Sequence, residues 1–261
     1  MVEKPKRVLV VDDVVFNQRV VATLLRRRGW EVTVAETGEA AVENCQSNLS
    51  EPFDVVLMDV NLPGIDGMQA TTQIRKSELP DQPIIIGLSA HAGQRDFAAF
   101  RESGMDDCLA KPVDLENLIA MINRHVEGNE PGKAQTTDTS IAKASEAELM
   151  VLNSDSALQR IGSNRQLFLQ FIGVFREDIS NLIATAEQAA MTQNLKGLGD
   201  TAHRIRGMSA NLSADRLSEH ARRLEMACEE GQSDLASVEF ENLKQELEPL
   251  ESAFQKFENV N

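Results

Sequence analysis

The stretch FDVVLMDVNLPGIDG, residues 53–67, joins a short apolar run to an aspartate, Asp59, and then to a loop rich in turn-forming residues. Four similar runs occur in the same half of the chain, namely RVLVVD (7–12), EVTVAE (31–36), PIIIGLSA (83–90) and the weaker DDCLA (106–110). Their length and their Val and Ile content are typical of buried parallel strands, and the segments between them, such as 16–28, have helical periodicity. Five strand–helix units in succession predict a doubly wound α/β domain with a five-stranded parallel sheet over residues 1–127.

The second half of the chain has a different pattern. Residues 146–261 contain helical periodicities at about 155–161, 164–192, 195–212, 214–230 and 235–258, and no strand-like run. Long antiparallel helices with apolar stripes and short connections form bundles, so we predict an all-α, four-helix bundle here. Residues 128–145, between the two halves, are polar and lack an apolar face, which predicts a flexible linker.

The charge and the cysteine content exclude several classes of protein. The formal net charge is −15, with 13 basic and 20 acidic residues before residue 128 and 13 and 21 from there on. An acidic balance in both halves argues against nucleic acid and anionic membrane as partners, because both require basic patches. The three cysteines form no CxxC pair, and no segment has the pattern of a signal peptide or a membrane span. We therefore expect a cytoplasmic protein without direct membrane insertion.

Polar side chains follow the predicted strands at the edge of the sheet where doubly wound folds bind their ligands. Asp12 and Asp13 follow the first strand and Asp59 ends the third, whereas Ser89 ends the fourth and Lys111 follows the fifth. Two carboxylates can hold Mg²⁺ beside a third carboxylate that attacks phosphorus. A hydroxyl and an ammonium group can then bond the phosphoryl oxygens. The pattern predicts a magnesium-dependent phosphoryl acceptor with Asp59 as the nucleophile.

The motifs VVDD, LMDVNLPGIDG, LSA and KP, in this order, resemble those of response-regulator receiver domains over about 120 residues. The resemblance implies a flavodoxin-like fold, with Asp59 as the phosphoacceptor and with Asp12 and Asp13 as Mg²⁺ ligands. It assigns the remaining roles to the backbone carbonyl of Asn61 (a further Mg²⁺ ligand), Ser89 (the switch hydroxyl) and Lys111 (the phosphate-binding lysine).

Three positions refine this interpretation. Phosphatases of the haloacid-dehalogenase type, which also use an aspartate nucleophile, require a second acid two residues later, where this chain has Asn61. Asp66, in the IDG turn, is expected to bond the backbone. Receivers commonly carry Tyr or Phe three residues before the lysine, and here Cys108 occupies that place. We expect the phosphorylation chemistry to persist and the conformational response to be muted.

The stretch TAHRIRGMSANL, residues 201–212, contains a histidine within a helical pattern. An apolar stripe on this helix comprises Leu198, Ala202, Ile205, Met208, Ser209 and Leu212. His203 lies about 160° from the centre of that stripe and is predicted to project outward. Gly199 and Gly207 lie one turn to either side, and Arg206 lies three residues after the histidine. An outward imidazole on a small-residue surface suits phosphoryl exchange with another domain, whereas the glycines disfavour an ordinary solvated histidine.

The run AHRIRGMSANLSADRL resembles the active helix of histidine-containing phosphotransfer (HPt) domains. Their typical sequence is His-x-Leu-Lys-Gly, followed by a small-residue stretch and Leu-Gly-Ala. The resemblance implies His203 as the phosphorylated residue, Arg206 in the place of the lysine, and Gly207 as the matching glycine. Ser213 replaces the usual glycine, which can alter the turn after this helix.

Together the two halves predict a two-component phosphorelay protein. It lacks an ATP-binding kinase domain, so we expect a phosphotransfer intermediate and not an enzyme, with an upstream histidine kinase and a downstream response regulator as partners. The seventeen polar residues 128–144 span roughly 20–25 Å, which permits docking of the receiver on the HPt domain of the same chain. The alternatives are a phosphorylation-gated protein-interaction module and the C-terminal portion of a hybrid sensor histidine kinase.

Overall fold

Strands and helices alternate through the first half of the chain, and helices alone follow in the second half. The structure is a computed structural model that describes residues 5–89, 94–126 and 149–260. The chain divides into two units, Met1–Lys133 and Ala134–Asn261. The predicted linker, 128–145, lies outside the described residues.

The first unit contains five strands and five helices in strict alternation. They are β1 (Arg7–Val11), α1 (Val15–Arg27), β2 (Glu31–Ala35), α2 (Gly38–Ser47), β3 (Val55–Asp59), α3 (Gly67–Lys76), β4 (Ile84–Ser89), α4 (Gln94–Ser103), β5 (Asp107–Ala110) and α5 (Leu115–Val126). Each strand falls within one of the five apolar runs. The α/β class and the number of strands are therefore confirmed.

All five strands are parallel, and their order in the sheet is β2-β1-β3-β4-β5. The central strands β1, β3 and β4 are buried along almost their whole length, which explains why their sequences are continuous apolar runs. The chain leaves β1 toward β2 on one side and returns to β3 on the other. This reversal opens a crevice at the carboxyl ends of β1 and β3, where doubly wound folds bind ligands.

The second unit is a helical bundle. Its helices are α6 (Ser154–Arg160), α7 (Arg165–Met191), α8 (Leu195–Asn211), α9 (Asp215–Glu229), α10 (Ser233–Gln245) and α11 (Leu247–Asn259). The helices α7, α8, α9 and the α10–α11 pair supply the long rods of the predicted bundle, and α6 is a short addition before them. Among the described residues, no helix has the length and apolarity needed to cross a bilayer.

Two sequence-based predictions about the bundle can be compared with the structure. The whole predicted stripe of α8, Leu198, Ala202, Ile205, Met208, Ser209 and Leu212, is buried, which confirms the core face of this helix. The single helix predicted at 235–258 is wrong, because the chain breaks at Glu246 into α10 and α11. Pro249 explains the break, since it lacks the N–H that would bond the carbonyl of Gln245 and its ring crowds that carbonyl.

Candidate functional site

Three carboxylates converge at the carboxyl end of the sheet in the first unit. Asp12 follows β1 and Asp59 ends β3, and both are 2% exposed, whereas Asp13 is half-buried. One oxygen from each of the three carboxylates lies within 4.8 Å of the other two. Carboxylate oxygens are the donors that Mg²⁺ prefers, so the three residues fit a magnesium ion by donor type and by their proximity.

Lys111, after β5, joins this cluster. Its Nζ lies 2.7 Å from Asp12 Oδ2 and 2.6 Å from Asp59 Oδ2. Burial by itself lowers the pKa of Lys111, but the charges of the two carboxylates and their hydrogen bonds outweigh that effect and raise it. The ammonium therefore stays charged and links two strand ends that are far apart in the chain.

The Asp59 carboxyl group is held in a strongly unfavourable environment for charge. Burial raises its pKa to about 6, and Asp12 adds to the rise, although Lys111 and the N–H of Asn61 oppose it. The N–H of Asn61 donates to Asp59 Oδ1 at 3.0 Å. Three carboxylates around one ammonium leave a net negative charge, which a divalent cation would neutralise. The role of the Asn61 carbonyl as a metal ligand stays a prediction.

Two buried side chains of α1, which the sequence analysis missed, orient the Asp12 segment. Asn17 Nδ2 donates to Asp12 Oδ1 at 3.1 Å, and Gln18 Nε2 donates to the backbone carbonyls of Asp12 at 2.6 Å and Ala35 at 2.8 Å. Both side chains are buried in an otherwise apolar helix face. Polar residues at core-facing positions of a helix were the signal that could have identified them.

The loop after Asp59 turns back sharply on the strand. A Cβ at Gly67 would lie 2.0 Å from the carbonyl oxygen of Asp59, so only glycine fits there. Asp66 accepts a hydrogen bond from the N–H of Gln69 at 2.7 Å and caps α3, which confirms its predicted backbone role. Ser89, at the end of β4, is buried, and its carbonyl accepts from the N–H of Lys111 at 2.8 Å.

Cys108 lies on β5 and is buried. A Cβ on Gly87 of β4 would lie 3.6 Å from its Sγ and 2.7 Å from Sδ of Met105. The place that an aromatic ring commonly occupies in receivers is therefore a tightly packed site with two sulfur atoms nearby. The muted conformational response stays a prediction.

The second unit holds His203 on α8 in contact with α9. Its Nδ1 lies 2.7 Å from Oε1 of Glu225, whose other oxygen lies 2.8 Å from Nε of Arg206. The side chain of His203 is 22% exposed. His203 lies off the buried stripe of α8, but α9 packs alongside and covers part of the ring, so the histidine projects outward less than predicted.

Glu225 is the functional candidate that the sequence analysis missed. It lies four residues after Ala221 and one after Leu224, at the edge of the buried stripe of α9. The sequence signal for Glu225 was a carboxylate beside an apolar stripe. The rotation of α9 about its axis had to be known before His203 could be assigned as its contact. Arg206, predicted to bond a phosphoryl group, contacts Glu225 in this structure.

Gly199 has a different role from the one predicted. A Cβ at this position would lie 3.1 Å from Cβ of Cys228 on α9. This glycine therefore permits the close approach of α8 and α9 within the bundle. We correct the prediction that Gly199 clears a surface for a partner domain. Gly207 is half-buried, and its role in partner approach stays a prediction.

Two family models match the chain in succession. The model of the response regulator receiver domain matches residues 8–123, and the model of the Hpt domain matches residues 170–253. The chain therefore belongs to the proteins that join a receiver domain to an HPt domain, as the sequence predicted. It is a protein of two-component phosphorelay signalling, and both matched domains are phosphotransfer modules and not kinase domains.

Relatives of this chain are much longer than the chain itself. It is 34% identical over 211 residues to the sensor histidine kinase GacS of Pseudomonas protegens and 28% identical over 213 residues to the aerobic respiration control sensor protein ArcB of Escherichia coli. These matches cover 77% and 81% of this chain but 22% and 26% of the two relatives. A solved receiver domain of a Pseudomonas aeruginosa sensor histidine kinase, with magnesium in its active-site cleft, is 35% identical. That match covers 48% of this chain and 99% of the solved chain, with a TM-score of 0.43.

Proposed function

We propose that Asp59 accepts a phosphoryl group with Mg²⁺ held by Asp12, Asp13 and Asp59, and that His203 carries the group in the second domain. The observation that carries the proposal is the convergence of three carboxylates and Lys111 at the strand ends of a chain whose second domain holds His203 against Glu225. An upstream histidine kinase and a downstream response regulator are the partners that this chemistry requires.

Phosphorylation of Asp59 is a displacement at phosphorus. An oxygen of Asp59 forms the new bond as the bond from phosphorus to the donor's histidine nitrogen breaks, and that nitrogen keeps the electron pair. A bound Mg²⁺ supplies charge neutralisation between the anionic nucleophile and the phosphoryl oxygens. Lys111 already lies 2.6 Å from Asp59 and provides a fixed positive charge for the transferred group. The hydroxyl of Ser89, at the end of the adjacent strand, is the proposed further donor to that group.

The contact between His203 and Glu225 selects the reactive nitrogen. A carboxylate only accepts hydrogen bonds, so Nδ1 of the neutral imidazole carries the proton and Nε2 keeps its lone pair. Nε2 then attacks the phosphorus of an aspartyl phosphate, the bond from the acyl oxygen to phosphorus breaks, and the carboxylate leaves. Glu225 stabilises the positive charge that develops on the ring, and Arg206 lies next to both groups.

The test uses the full chain with radiolabelled, autophosphorylated histidine kinases as donors. Wild type is expected to acquire label on Asp59 and on His203, and alkali-stable, acid-labile label identifies the histidine. The variant Asp59→Asn should lose the aspartyl label, and His203→Gln should lose the histidyl label and delivery to a response regulator. Delivery that continues through the His203→Gln variant would overturn the relay and would favour a phosphorylation-gated interaction module.

Concentration dependence distinguishes transfer within one chain from transfer between chains. Transfer from Asp59 to His203 of the same chain gives a rate constant that is independent of protein concentration. A mixture of the Asp59→Asn and His203→Gln variants can pass phosphate only between chains. Efficient transfer in that mixture, with a rate that rises with concentration, would exclude an obligatory intramolecular step.

A further inference from the structure

The turn between α8 and α9 contains a strained residue at its centre. Ser213 has a φ of +56°, in the left-handed region that favours glycine, and it is 2% exposed. The backbone at the end of α8 holds this conformation, because the N–H of Ser213 donates to the carbonyl of Ala210 at 3.1 Å and the N–H of Ala214 donates to the carbonyl of Ser209 at 2.9 Å.

Arg160, at the end of α6, adds side-chain contacts to this turn. Its Nη2 donates to the hydroxyl of Ser213, and its Nη1 donates to the carbonyl of Ala210 in the last turn of α8 at 3.1 Å. The planar guanidinium thus binds both the exposed carbonyl end of α8 and the strained residue that follows it.

The chain before α6 reinforces the same turn through its backbone. The N–H of Asn153 donates to the carbonyl of Ser213 at 2.9 Å, and the N–H of Arg216 donates to the carbonyl of Met150 at 3.2 Å. The α8–α9 turn is therefore bonded on both sides by residues 150–160. These residues lie outside the 170–253 segment that the Hpt family model matches.

From this turn α9 carries Glu225, twelve residues after Ser213, to His203 on α8. The two helices are also in close contact further along, where a Cβ on Gly199 would lie 3.1 Å from Cβ of Cys228. The contact from Nδ1 of His203 to Oε1 of Glu225 is 2.7 Å and tolerates little displacement.

We infer that Arg160 is a positioning residue for His203, because it holds Ser213 in the left-handed conformation that aligns Glu225 with the imidazole. The inference rests on the proposed role of His203 as phosphoacceptor. Arg160 acts through the turn and through α9, and it touches no reacting atom. A glycine at position 213 would remove the need for this contact, because glycine adopts the left-handed conformation without strain.

The test compares Arg160→Ala with a matched control in the full chain. Arg165→Ala removes another arginine of the same domain that bonds helix-terminal carbonyls, in this case those of Phe257 and Val260 at the end of α11. Two readouts are used at a temperature below unfolding. They are the ¹⁵N NMR signals of the His203 ring and the rate of His203 phosphorylation by phosphoramidate, in which ammonia leaves as Nε2 bonds phosphorus.

We expect Arg160→Ala to shift the Nδ1 signal away from its hydrogen-bonded position and to slow phosphorylation roughly tenfold, as misplaced catalytic groups do. Arg165→Ala should change neither readout. Adding Ser213→Gly to Arg160→Ala should restore both readouts, because glycine adopts the left-handed conformation without support. Arg160→Lys, which keeps the charge but not the two-pronged contact, provides a milder variant if Arg160→Ala fails to fold.

The outcomes separate the inference from the proposed function. An unchanged Arg160→Ala or Arg160→Lys protein, an equal effect of Arg165→Ala, or the absence of rescue by Ser213→Gly would each overturn the inference. The NMR readout reports the contact of His203 with Glu225 whether or not phosphate is transferred. A relay that bypasses His203 would overturn the proposed function and would leave this readout intact.

Discussion

Asp59 and His203, the two proposed phosphoacceptors, lie in contrasting environments. Asp59 is almost fully buried among groups from three strand ends, whereas the side chain of His203 is 22% exposed on a helix face and contacts one carboxylate of one neighbouring helix. The first site concentrates negative charge and fits a cation, and the second balances Glu225 against Arg206. The two sites therefore prepare their nucleophiles for attack on phosphorus in different ways. The anionic carboxylate needs its charge neutralised, whereas the neutral imidazole needs its proton held on Nδ1.

Removal of Mg²⁺ should have the largest effect and should separate the two sites. With acetyl phosphate as donor, excess chelator is expected to slow phosphorylation of Asp59 by more than about a hundredfold, because charge repulsion is no longer neutralised. In the Asp59→Asn variant, phosphorylation of His203 by phosphoramidate should be unaffected, since the three-carboxylate cluster among the described residues belongs to the receiver site. Mass spectrometry of each domain measures both reactions, and equal sensitivity to chelator would contradict the contrast.

Loss of Glu225 should affect the helical site alone. The variant Glu225→Ala is expected to slow phosphorylation of His203 about ten- to a hundredfold, because it removes the group that fixes the tautomer and stabilises the charged ring. Glu229→Gln, an exposed position one turn further along α9, is the matched control and should behave as wild type. Phosphorylation of Asp59 by acetyl phosphate should be the same in all three proteins. A normal rate in Glu225→Ala would exclude the proposed tautomer selection.

Two glycine variants test the close approach of α8 and α9. Gly173→Ala, in α7 where a Cβ meets no atom within 4 Å, should stabilise the bundle by about 0.5–1 kcal/mol through helix propensity. Gly199→Ala should instead lower the free energy of unfolding by about 1 kcal/mol or more, because its Cβ would press against Cys228. Chemical denaturation measures both free energies of unfolding. Equal stabilisation by the two variants would refute tight packing at Gly199.

The smallest effect is expected at Cys108. Addition of beryllofluoride should perturb NMR signals around Asp59 but change the backbone around Cys108 little, because the usual aromatic switch is absent. The variant Asp59→Asn provides the control for nonspecific effects of the reagent. A large rearrangement of β5 and the helix before it would show that this receiver responds through another residue.

More of the receiver site than of the helical site could be predicted from the sequence. Parallel strands end at one edge of a sheet, so Asp12, Asp59 and Lys111 could be predicted to lie at the same edge, and the contacts of Lys111 with the two carboxylates are seen in the structure. The sequence did not reveal Asn17 and Gln18 as supports of Asp12, because two polar residues in a helix give no direction for their hydrogen bonds. Pro249 indicates the break before α11, and the prediction of one continuous helix did not take this proline into account.

The sequence by itself determined the two fold classes, the order of the elements and the residues at the strand ends. These depend on local periodicity and on a topology that has few alternatives. Only the tertiary structure decided that Glu225 meets His203, that Gly199 faces Cys228 and that Arg160 holds Ser213. Periodicity defines the faces of a single helix, but the contacts between helices depend on how each neighbour is rotated and shifted along its axis.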